Sequence, residues 1–161
     1  MRNGRPEVQT FAAEESLFRR CDPDHVAPDG TVMAEAFRFP ELSVLRSGGQ
    51  AVGDVFEPED ALWLPAEAVP EGCTAYLLNC CVVRFSVQDV PTEIQRPDAA
   101  PYTTSLIYSP FDDLYPHSEV HVLQNGVVLR HHESAIKRPA RRELREKLAR
   151  ASVLVYPQPA Q

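Results

Sequence analysis

The sequence predicts an α+β fold: a β-rich, mostly antiparallel sheet of five to seven strands with a C-terminal helix packed on it. Three observations carry this expectation. Fifteen prolines against seven glycines in 161 residues exclude long helices from most of the chain, because proline fixes φ and lacks a backbone donor. Short runs of alternating apolar and polar residues recur between turn residues, the period of a half-buried strand. One 3.6-residue period stands near the end, where Leu144, Leu148 and Ala151 recur at i, i+4 and i+7. The length is that of a single domain, read as 14–156, with tails at 1–13 and 157–161.

In chain order, 14–20 is too short to separate helix from strand. Cys21 to Gly30 is turn chemistry, with Asp side chains able to bond the following backbone and Gly30 supplying positive φ. Strands are expected at 31–38 and 42–46 and, most strongly, at 74–87. A short helix is expected from Glu57-Pro58-Glu59-Asp60, with Leu62 and Trp63 as packing residues. Asp89 to Pro101 is read as an irregular connection, followed by strands at 103–108 and 117–123. Asn125-Gly126 predicts a two-residue hairpin that pairs 127–131 back, with Arg130 facing His121 and His132 facing Glu119. Pro139 opens the helix to Ala151, with Glu143–Lys147 and Glu146–Arg150 as ion pairs, and 152–156 is a last strand.

Three stretches then fall in a familiar order. Phe18-Arg19-Arg20 leads through Asp22-Pro23 to Asp29-Gly30-Thr31-Val32, Ala36-Phe37-Arg38 and Leu42-Ser43-Val44. Cys81 to Val87 precedes Tyr115-Pro116-His117-Ser118-Glu119-Val120. This order resembles a widespread group of small, uncharacterised bacterial proteins with an Arg-Arg, Asp-Gly, Ala-Phe, Leu-Ser-Val and late-His pattern. The resemblance covers about 17–46 and 80–121 and implies no catalytic role. The basic C-terminal helix lies outside it.

Composition narrows the classes of function. A net charge of −7 disfavours nucleic-acid binding by the whole surface. From Lys137 to Arg150, however, seven basic residues stand against two acidic ones, a local +5 that leaves −12 elsewhere. The longest apolar run, Ala75 to Val83, is too short to cross a bilayer, so no membrane partner and a cytoplasmic location are expected. The four cysteines are then expected to be reduced; Cys80 and Cys81 read as small core residues, and no Cys-x-x-Cys spacing suggests zinc.

Two sets of residues could carry chemistry. His117, Glu119 and His121 alternate on one expected strand, so that one face would hold two imidazoles and a carboxylate, a candidate acid–base or two-His-one-carboxylate group. The bland alternative is the wet side of a half-buried strand, and no metal is assigned. Arg19, Arg38, Arg46 and Arg84, with Thr103, Thr104 and Ser105 and then Glu119, are similar in order to the Arg, Ser/Thr and Glu of ADP-ribosyltransferase-like toxins, which use them on NAD. The candidate catalytic residues are therefore His117, Glu119 and His121, and the candidate binding residues Arg84, Arg141, Arg142 and Arg145.

The favoured expectation is a bacterial accessory or protein-interaction protein whose partner is another protein, met through the basic C-terminal helix. Its rival is a small enzyme, either a metal-dependent hydrolase or an ADP-ribosyltransferase-like one. The cofactor is left open.

Overall fold

The structure, a computed structural model, describes residues 10–46, 81–108 and 117–156. The expected helix at 57–60 and the first half of the strand at 74–87 lie outside these residues.

The strands are β1 (Ser16–Cys21), β2 (Glu41–Arg46), β3 (Cys81–Ser86), β4 (Glu93–Ile94), β5 (Tyr102–Tyr108), β6 (His117–Gln124), β7 (Val127–Val128) and β8 (Val153–Tyr156). They form one sheet in the order β4-β5-β6-β2-β1-β3-β8, every pair antiparallel, with β7 pairing β6 alone. Among the described residues one α-helix, α1 (Arg138–Ala151), precedes β8. The β-rich sheet with a C-terminal helix is thus what the chain adopts.

Register divides the side chains between two faces. One face presents Leu17, Leu42, Val44, Val83, Phe85, Val120, Val122 and Tyr102, and Ala140, Leu144 and Leu148 of α1 pack into the same cluster. The rings of Phe37 and Phe85 meet edge to face there, with centroids 5.9 Å apart. Across the sheet, Phe18, Leu45 and Val82 form a second, smaller cluster with Val155 and Tyr156 against it.

The α1 helix begins where Lys137 caps it in an extended conformation; its backbone N–H donates to the hydroxyl of buried Tyr102 at 3.0 Å. The Glu143–Lys147 pair forms at 3.3 Å, whereas Glu146 turns to Arg142 at 3.9 Å rather than to Arg150.

Three elements depart from the sequence reading. The 31–38 strand reduces to a single bridge, Val26 with Val32, followed by a 3-10 turn at Ala34–Ala36. The turn is stabilised from outside: Arg145 Nε donates to the Ala34 carbonyl at 3.1 Å and Arg19 Nε to the Ala36 carbonyl at 2.7 Å. A cis peptide then joins Phe39 to Pro40 ahead of β2.

The second departure is the hairpin. Asn125 and Gly126 take φ of 54° and 76°, as a two-residue turn demands, and Gln124 pairs with Val127 as expected. The strand ends at Val128, however, with one further bond from Leu129 N to the Val122 carbonyl at 2.8 Å, because β2 takes the seats beyond: Glu41 faces His121 and Ser43 faces Glu119. Arg130 and His132 therefore do not oppose His121 and Glu119. His131 turns away at φ 73°, and the His132 ring caps the 3-10 turn Glu133–Ala135, accepting from Ser134 N at 3.3 Å.

Third, the irregular connection at 89–101 contains β4, whose Ile94 is buried. Residues 10–13, within the expected N-terminal tail, are also held. Gln88 N donates to the Ala13 carbonyl at 2.9 Å and Arg46 Nη2 to the Thr10 carbonyl at 2.8 Å.

Candidate functional site

β6 is an interior strand between β2 and β5, and this position builds the His–Glu site. Val120 and Val122 turn into the main core, so the alternate residues Glu119 and His121 lie on the opposite face. His121 is only 7% exposed. Its Nε2 lies 2.7 Å from Glu119 Oε2, a contact two residues apart on one strand, and the Glu119 side chain keeps 30% exposure.

Cross-strand neighbours frame the pair. Glu41 and Ser105 face His121 from either side; Ser43 and Ile107 face Glu119. Glu41 reaches outward to Arg130 at 3.7 Å. His117 occupies the β6 position opposite Leu45.

A carboxylate beside an imidazole fixes the orientation of the ring, the arrangement an acid–base histidine uses. The same contact occupies one of the two ring nitrogens through which a histidine can bind a metal. Among the described residues no three His, Cys, Asp or Glu side chains converge as a metal group does.

The arginines disperse. Arg84 is exposed on β3, opposite Phe18 of β1 and Val153 of β8. With β1 and β2 between β3 and β6, it stands about 14 Å from Glu119 in the strand-spacing direction. Arg19 donates to two backbone carbonyls, of Ala36 and of Ser43 at 2.8 Å, and its burial lowers its pKa to about 10. Arg46 is spent on Glu15. Only Ser105 of the expected NAD-site set is brought beside the His121–Glu119 pair.

Helix α1 divides its own arginines. Arg141 Nη1 donates to the Glu133 carbonyl at 2.7 Å, and Arg145 to that of Ala34, so these two hold backbone turns. Arg138, Arg142, Lys147 and Arg150 lie on the exposed side of the helix.

A further group was not legible in the sequence. His25, Glu35, Arg38, Phe39, Glu133 and Arg145 line an open hollow of about 470 Å³ between the two 3-10 turns and α1. These residues come from distant parts of the chain, and no spacing announces them.

No protein-family model, no curated protein and no solved structure matches the chain.

Proposed function

We propose that the chain is a bacterial, cytoplasmic accessory protein that docks an acidic segment of another protein on the outer face of α1. The observation that carries this reading is how α1 distributes its residues. Ala140, Leu144 and Leu148 face the core, Arg141 and Arg145 hold neighbouring turns, and Arg138, Arg142, Lys147 and Arg150 stand in solvent. With Arg141 and Arg145 turned to the fold, the exposed charges of 137–150 are five basic against two acidic, a net +3 on a chain of net −7 that steers an acidic partner to this face, since the rest of the molecule repels it.

The two glutamates matter to partner choice. Glu143 and Glu146 neutralise part of the stripe through Lys147 and Arg142, which weakens it as a track for a nucleic-acid backbone. The resemblance of 17–46 and 80–121 to small bacterial proteins supports the source. No helix among the described residues is long and apolar enough to cross a membrane.

The test is a charge-reversed variant, Arg138→Glu with Arg142→Glu and Arg150→Glu, used in pulldown beside the unmodified chain. These side chains make no contact that the fold depends on, so circular dichroism should be unchanged. Loss of the captured partner, together with weaker capture at high salt, is the expected result. Capture that ignores both would reject the reading.

The 2.7 Å His121–Glu119 contact favours a second reading, an enzyme that uses this pair for acid–base chemistry in hydrolysis or ADP-ribosyl transfer. Metal content and NAD consumption of the purified chain, compared with His121→Ala, decide it. A chain with no bound metal and no NAD turnover excludes both forms.

A further inference from the structure

We propose that Cys21 and Cys81 form a paired-thiol site that closes to a cross-strand disulfide under oxidation. The two are direct partners in the β1–β3 ladder, the last of six consecutive antiparallel pairs. Directly opposed residues project from the same face, and both side chains enter the main core cluster. Opposed Cα atoms in an antiparallel pair stand about 4.5 or 5.5 Å apart, and both values fall inside the range a disulfide spans. Opposed Cβ atoms lie about 4.5–5.5 Å apart, so closing the bond asks for roughly 1 Å of approach and no change of register.

Position makes this pair reachable despite exposures of only 8% and 7%. Cys21 ends β1, and the chain runs at once into exposed Asp22, Pro23 and Asp24. Strand ends open locally at far lower cost than the whole sheet. Arg19 lies two residues back on the same face, and its charge interacts with Cys21.

The chemistry balances with glutathione disulfide as oxidant. The Cys21 thiolate attacks one glutathione sulfur, forming a mixed disulfide and expelling the other glutathione as its thiolate. Cys81, losing its proton, then attacks the Cys21 sulfur and expels the second glutathione. Two protein thiols lose two electrons and two protons; one glutathione disulfide becomes two glutathione thiols. The new bond would tie the end of β1 to the start of β3 and close a loop of about sixty residues that contains β2.

The test equilibrates the native full-length chain with glutathione disulfide, blocks remaining thiols with an alkylating agent, and maps the peptides by mass. The expected product is a linked Cys21–Cys81 peptide pair, lighter by two hydrogens than the separate peptides and released by reductant. Its thermal midpoint should exceed that of the reduced chain. In Cys81→Ala, Cys21 should instead retain glutathione or stay alkylatable, and the midpoint gain should vanish. Should Cys81→Ala fold poorly, the linked peptide in the unmodified chain decides the matter. Both cysteines alkylated after equilibration, or either joined instead to Cys73 or Cys80, overturns the proposal.

Discussion

Arg46 and Glu15 form a two-pronged ion pair inside the protein. Arg46 Nε meets Glu15 Oε1 at 2.8 Å and Nη2 meets Oε2 at 2.9 Å, while Arg46 is 1% exposed. The guanidinium also stacks on Phe11, 4.0 Å from the ring centre. One side chain at the end of β2 thereby fastens the segment that leads into β1. Removing one partner of such a pair leaves an uncompensated charge in a poor solvent. Glu15→Gln is expected to cost about 3–5 kcal/mol in urea unfolding. The double change Glu15→Leu with Arg46→Met should cost less than either single change. Equal unfolding midpoints for Glu15→Gln and the unmodified chain would show that water already reaches the pair.

Arg19 acts where β1 and β2 part. Their pairing covers only Leu17–Arg46 and Phe18–Leu45, and beyond it the guanidinium bonds the Ser43 carbonyl and that of Ala36. Arg19→Met should destabilise by about 2 kcal/mol, since two carbonyls lose a charged donor. Arg19→Lys should restore less than half of this, because an ammonium cannot spread its donors across both acceptors. Full rescue by lysine would mean that charge alone matters here.

Ser118 makes the opposite prediction. Its hydroxyl is buried in β6 without a hydrogen-bond partner, a cost with no return. Ser118→Ala should therefore leave stability unchanged or raise it by up to about 1 kcal/mol. A loss larger than that, read from thermal denaturation, would reveal a partner for the hydroxyl.

Asp29 gives an acid dependence. Its Oδ1 accepts from Thr31 N at 2.9 Å, and this bond holds its pKa below the ordinary carboxylate value. A folded-state pKa that is lowered contributes stability above the unfolded value, and that contribution disappears as pH falls through the folded one. Asp29→Asn should thus be less stable than the unmodified chain at neutral pH, with the gap closing in acid. Melting curves between pH 2 and 6 check it; a gap that persists in acid assigns the effect to shape rather than charge.

Where side-chain period was the signal, the sequence was a good guide. β5, β6 and α1 fall within a residue or two of their expected limits, because their alternation or helical spacing reflects which side meets the core. Alternation also placed Glu119 and His121 on one face, where they touch. The failures share a cause: a distant competitor changed a local preference. Val32 to Phe37 has strand-like residues, yet Arg19 and Arg145 stabilise a turn there by bonding its carbonyls. The residues 129–131 could have extended the hairpin, but β2 arrived to pair with β6 instead. The Glu15–Arg46 pair and the cleft around Arg38 join residues with no mutual spacing, which one-dimensional reading cannot find.

That substitution of β2 for the longer hairpin shapes how the chain assembles. β5 and β6 are close neighbours in sequence and can zip early, whereas Glu41 must find His121 across nearly half the chain. The middle of the sheet is therefore its most entropically demanding seam. A refolding chain that has made the β5–β6 ribbon still shows an open row of amides and carbonyls along β6 until β2 pairs with it. Slow refolding and a tendency to associate during that interval are the natural toll of this strand order.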